Sequence, residues 1–89
     1  MADIRKGSFC KSTAGHDKDS YYIIVETEKG IAVADGKVRK LANPKYKNPK
    51  HLEVMNYTDA GLDKKFAENK IKDEDIKYSI KKFLTHTNK

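Results

Sequence analysis

Apolar positions in the first two thirds of the chain fall in short alternating or clustered runs, and in the last third they recur every three to four residues. Residues 7–11 (GSFCK) alternate weakly, with Phe9 pointing inward. Residues 21–26 (YYIIVE) are aromatic and β-branched, a composition suited to a packed, pleated surface. The connection 27–30 (TEKG) ends in glycine, as a tight hairpin requires, and 31–34 (IAVA) is its partner strand. Residues 38–41 (VRKL) alternate and predict a fourth strand. Residues 52–57 (LEVMNY) set Leu52, Val54 and Asn56 against Glu53, Met55 and Tyr57, and predict a fifth. Between them, 12–20 (STAGHDKDS) reads as a loop in which Gly15 is free to take positive φ, and Asp35-Gly36 is the strongest short-range turn signal. Five short strands joined by tight turns predict a small barrel rather than a sandwich or an α/β sheet.

After residue 57 the period changes. Leu62 and Phe66 lie four apart, as do Ile76 and Ile80, and Phe83 and Leu84 continue the second stripe. Asp73, Glu74 and Asp75 form a helix start, a capping side chain followed by two carboxylates at the positive end of the dipole. The spacing predicts a short helix over 60–68 and a firmer one over 73–84, with a tail fraying from Thr85. The Ile76–Phe83 stripe is expected to cover an open end of the barrel; the alternative is a helix offered to a partner's groove. The predicted organisation is a barrel over 1–57 and a helical extension over 58–89 packed on it, a single domain overall.

Charge sharpens this picture. The chain has 89 residues, a formal net charge of +6, 37% hydrophobic and 36% charged residues. One small domain of this size buries only about 60–65% of its unfolded surface, and the apolar runs rule out a fully disordered chain. The basic balance favours nucleic acid, an acidic protein or an anionic membrane as partner. Much of it sits in residues 35–52 (DGKVRKLANPKYKNPKHL), where Lys37, Arg39, Lys40, Lys45, Lys47 and Lys50 are interrupted by no acidic residue. Pro44 and Pro49 disfavour a helix there, and Asn-Pro-Lys occurs at 43–45 and again at 48–50. A semi-extended loop with its lysines splayed outward is expected, binding a phosphate backbone. Tyr46, in its middle, either stacks on an unpaired base or packs on the barrel rim.

Other chemistries find less support. A single cysteine, Cys10, allows no internal disulfide and suits a reducing compartment. No apolar run reaches signal-peptide or membrane-spanning length, so a soluble, cytoplasmic protein is expected. The acidic start of the second helix and the lack of Trp argue against peripheral membrane binding. Cys10, His16, His51 and His86 have no compact ligand spacing, and neither a metal nor another cofactor is expected. Asp17 and Asp19, or Ser12 and Ser20 near His16, are the nearest approach to catalytic groups. Sequence proximity is not triad geometry, no phosphate-binding glycine loop occurs, and so small a barrel leaves little room for a small-molecule substrate. An enzyme is not expected.

Residues 4–25 (IRKGSFCKSTAGHDKDSYYIIV) resemble the KOW motif, a strand–loop–strand unit of ribosomal proteins and transcription elongation factors. The likeness rests on Gly7, Phe9, the Ser12-Thr13-Ala14-Gly15 loop, Asp17-Lys18 and the strand 22–25. With DGKVRK at 35–40, and Pro44, Lys45, Lys47, Lys50, His51 and Leu52, the chain as a whole is similar to short bacterial KOW-domain RNA-binding proteins. These are related to an archaeal and eukaryotic large-subunit ribosomal protein family. Asp19 departs from the pattern, standing where many such loops carry a second glycine. The resemblance implies an SH3-like barrel of KOW type that binds RNA, with ribosomal RNA as target and ribosomal proteins as further possible partners. The expected interface comprises Lys11, Gly15, His16, Lys18, Lys37, Arg39, Lys40, Lys45, Tyr46, Lys47, Lys50 and His51. Replacing Lys45, Lys47 and Lys50 by Ala is expected to weaken RNA binding and leave the fold intact. The rival reading is a protein-interaction module that docks an acidic partner in the transcription or translation machinery.

Overall fold

Tyr22, Ile23, Ile24 and Val25 are apolar in unbroken succession, which fits a strand only if both faces of its sheet are covered. The computed structural model describes residues 4–87 and shows that arrangement. Strands β1 (Phe9–Ser12), β2 (Tyr21–Glu26), β3 (Ile31–Ala34), β4 (Lys45–Lys47) and β5 (Leu52–Val54) form one antiparallel sheet in the order β4-β3-β2-β1-β5. Helices α1 (Ala60–Ala67) and α2 (Asp73–Thr87) follow.

Alternation sorts the core into two clusters. Phe9, Ile23 and Ala34 face the helices and meet Leu62 of α1 and Ile76, Ile80 and Phe83 of α2. Phe9 meets Tyr57 edge-on, 5.0 Å between ring centres, and Phe83 lies 5.3 Å from Phe9 and 4.9 Å from Tyr57. Each such side chain contributes about 1.5–3 kcal/mol by leaving water. Cys10, Tyr22, Ile24, Val33 and Leu52 form the second cluster on the opposite face, where no helix lies. The sheet covers this face itself, by curling. In a flat sheet β4 and β1 are three strands, about 14 Å, apart, more than one lysine side chain spans. Yet Lys47 Nζ of β4 donates to Ser12 Oγ of β1 at 2.8 Å. The two edges, β4 and β5, do not pair with each other. Both are only three residues long, and Pro44 and Pro49 flank β4, features that blunt an open edge.

The fourth strand is not where the alternation of 38–41 predicts it. Those residues form bends, and Val38 is 83% exposed. Asp35 prevents a strand here: its Oδ1 accepts from the amides of both Lys37 and Arg39 at 2.9 Å, winding 35–39 into a local turn. Gly36, at φ +80°, lets this turn sit directly on the Asp73 carbonyl and the Lys77 backbone of α2. The strand forms instead at Lys45–Lys47, inside the segment expected to be a loop. There Ile31, Ala32 and Val33 supply pairing partners for Lys47, Tyr46 and Lys45.

The helices differ from expectation in their ends. Asp59 caps α1, accepting from Gly61 and Leu62 amides at 3.0 and 3.3 Å. Its other oxygen receives Ser79 Oγ and Lys82 Nζ, at 3.3 and 3.0 Å, so the same cap ties α1 to α2. α1 ends on Asn69 at φ +56°, with Asn69 N bonded to Phe66 O and Lys70 N to Lys65 O, a paired closure that serves the last carbonyls. Asp73 does not cap α2. It reaches across to accept from the Leu41 amide at 2.7 Å, and Asp75 takes the Lys72 amide. α2 continues to Thr87 rather than fraying from Thr85. Its apolar stripe lies along a sheet face rather than over an end.

Candidate nucleic-acid interface

The loop between β1 and β2 holds one carboxylate that organises everything near it. Asp17 is only 13% exposed, and both of its oxygens are occupied. Oδ1 receives Lys47 Nζ and Ser12 Oγ, each at 2.9 Å; Oδ2 receives Tyr22 Oη at 2.9 Å and Lys45 Nζ at 3.1 Å. Lys47, 7% exposed, completes its three donors with Ser12 Oγ and the Ala14 carbonyl at 3.4 Å. Burial alone would raise the Asp17 carboxyl, but the hydrogen bonds from Lys47, Tyr22, Lys45 and Ser12 outweigh it and hold the group well below the usual carboxylate range. Burial, together with the Asp17 hydrogen bond and charge, pushes Tyr22 up to about 12. Cys10 below is pushed up to about 12 by burial, against the opposing field of Lys47.

This clamp corrects one expectation. Lys45 and Lys47 are not splayed outward without acidic partners; both turn in to Asp17, 28 and 30 residues earlier in the chain. The reason is strand alternation. Pairing with β3 puts Lys45 and Lys47 on the face of Ile31 and Val33, towards the second cluster, and Tyr46 on the other. Tyr46 packs its ring edge over Gly30 and remains 57% exposed, beside Val25, Leu41 and Pro44. Tyr46 thus sits at the rim with much of its ring open to solvent, on the face away from the Asp17 loop.

The clamp brings sequence-distant cations together. Gly15, at φ +87°, His16 and Lys18 are exposed along the loop, and the Thr13 amide donates to the His51 carbonyl at 2.9 Å, fastening loop and 3-10 turn side by side. That turn, Pro49–His51, presents Lys50 and His51 to solvent. Asn48 caps it, accepting from the Lys50 amide at 2.9 Å. Lys11 lies lower, 3.5 Å from Asp19 and above the Tyr21 ring. Lys37, Arg39 and Lys40 stand apart from this rim, on the turn seated against α2. Among the described residues, Lys18, Lys37, Arg39, Lys40 and Lys50 take part in no ion pair. Asp19, which replaces the expected glycine, adopts φ +74°, so the loop keeps the backbone that a glycine would favour.

Two features escaped the sequence. Asp17 read as half of a weak carboxylate pair and as part of the Asp17-Lys18 match, not as an anchor, because its partners are spread over β1, β2 and β4. Lys77 and Lys81 of α2 flank Lys37 and Asp35 in a shared groove, and only their four-residue spacing hinted at a common face. No helix among the described residues is long and apolar enough to cross a membrane, and no group of three or more His, Cys, Asp or Glu gathers as a metal site would. Compared with models of known families and with curated proteins, the sequence matches none.

Proposed function

We propose that the chain is a non-enzymatic RNA-binding module that grips the RNA backbone with the exposed cations around its β1–β2 loop. The reading is carried by one observation: the loop and the Pro49–His51 turn are fastened together, and their exposed Lys18 and Lys50 take part in no ion pair among the described residues. Backbone amides and small residues at Ala14 and Gly15 leave room for a phosphate, and a rigid mount lowers the entropic cost of binding. Lysine recognises charge and shape more than base identity. The fold reading is an SH3-like barrel of KOW type, supported by the curl that brings Lys47 to Ser12. Ribosomal RNA is the proposed target by resemblance, and the setting is a cytoplasmic ribosome.

The test is sedimentation of a cell lysate at low and high salt, with and without ribonuclease. Co-migration with a ribosomal subunit, lost on nuclease treatment or in high salt, is the expected result. A complex that survives nuclease indicates an acidic protein partner and contradicts the reading.

A further inference from the structure

At the β2 end of the same loop, Asp19 and Ser20 line an open groove together with residues of α2. Its floor is apolar, made by Tyr21, Ile80 and Leu84, and its rim carries Lys37, Lys77 and Lys81. The two helix lysines are one turn apart and project from a single face. None of the three takes part in an ion pair among the described residues. The two acids of the groove are already engaged: Asp19 lies 3.5 Å from Lys11, and Asp35 Oδ1 accepts two backbone amides of its own turn. The groove therefore keeps a local surplus of positive charge above an apolar floor.

We propose that this groove carries the continuation of the bound RNA strand, with phosphates against Lys37, Lys77 and Lys81 and a sugar or base edge on the Tyr21–Ile80–Leu84 floor. The inference rests on the RNA-binding reading and adds α2 to the interface. Two properties select a nucleic acid strand as occupant. The charge surplus requires an anion. The groove also starts where the proposed rim ends along the chain, because its lining residues Asp19 and Ser20 directly follow the exposed Lys18. A strand held at Lys18 would pass Asp19 and enter the groove that Lys77 and Lys81 line.

The experiment is fluorescence anisotropy with a labelled RNA hairpin carrying a single-stranded tail, titrated at several salt concentrations. Four proteins are compared: wild type, Lys18→Ala/Lys50→Ala, Lys77→Ala/Lys81→Ala and Lys77→Arg/Lys81→Arg. All these side chains are exposed, and urea midpoints confirm equal stability. Losing two phosphate contacts lowers the log–log salt slope by about 1.4 and weakens binding about tenfold or more near physiological salt. That result for the alanine pair, with wild-type behaviour for the arginine pair, is expected. If the alanine pair binds as wild type while Lys18→Ala/Lys50→Ala loses affinity, the groove proposal fails and the RNA reading stands. If wild type does not bind RNA, both fail. If polyglutamate of equal charge binds the groove as tightly as RNA, the occupant is an acidic protein and the proposal is overturned.

Discussion

Lys47 Nζ lies 2.9 Å from Asp17 Oδ1, and this contact joins the edge strand β4 to the loop after β1 from inside the curled sheet. It divides the basic segment by role. Lysines that look alike in sequence are struts at 45 and 47 and, at 37, 40 and 50, exposed cations in no ion pair among the described residues.

Removing the inner strut therefore costs stability. Lys47→Ala leaves Asp17 with half its ammonium partners and opens a void beside Ser12. Breaking a buried pair from one side costs about 3–5 kcal/mol; because Lys45 and Tyr22 still serve Asp17, a loss of about 2–4 kcal/mol is expected in urea unfolding. Lys50→Ala, at an exposed site, changes stability by less than about 0.5 kcal/mol. The expectation that the alanine triple at 45, 47 and 50 leaves the fold intact is thus replaced. Equal midpoints for Lys47→Ala and wild type would refute the strut.

Acid stability follows the same carboxylate. Asp17 is held below the usual range when folded and returns to about 3.9 when unfolded. The unfolded chain then binds more protons, so stability rises with pH across this window. The Asp17 contribution is complete above about pH 5 and is lost as pH falls towards the folded value. Asp59 and Asp75 are also lowered and add to the slope. Asp17→Asn is expected to be less stable at pH 7 and to show a shallower decline from pH 5 to pH 2 by thermal melts at each pH. Parallel declines for the two proteins would contradict this.

Cys10 gives an independent reading of the second cluster. It is fully buried, and its thiol is pushed up to about 12. A thiol reagent at pH 8 should modify it only at the rate of opening, and at once in urea. Rapid labelling of the native protein would mean that the sheet does not close over this cluster.

Two backbone sites test the helix contacts in opposite directions. At Gly36 an added Cβ meets the Asp73 carbonyl at a positive φ, so Gly36→Ala should cost about 2–3 kcal/mol. At Asn69 the left-handed residue ends α1 in the open, and Asn69→Gly should add about 0.5–1 kcal/mol. Denaturation midpoints moving in the same direction for both would refute the closure geometry.

What the sequence revealed and what it hid divide along a physical line. Strands β1, β2, β3 and β5 and both helices were legible because their signals are local: β-branched runs, the Thr27–Gly30 connection and the 3.6-residue stripe of α2. β4 was not, because Lys-Tyr-Lys has little strand character and extends only through pairing with Ile31, Ala32 and Val33. Residues 38–41 alternate, but two hydrogen bonds to Asp35 prevail over alternation. Asp73 looks like a cap, yet it serves Leu41, 32 residues away. The candidate site was legible as composition, a run of cations. It was not legible as geometry, because the residue that sorts those cations is an aspartate in a distant loop.

The most direct test of the central claim is RNA binding as a function of salt for wild type and for Lys18→Ala/Lys50→Ala. With roughly three to five phosphate contacts, the wild-type log–log slope is expected at about −2 to −3.5, and loss of two contacts should flatten it by about 1.4. Binding that is insensitive to salt, or a variant indistinguishable from wild type, would contradict a backbone grip by these exposed lysines.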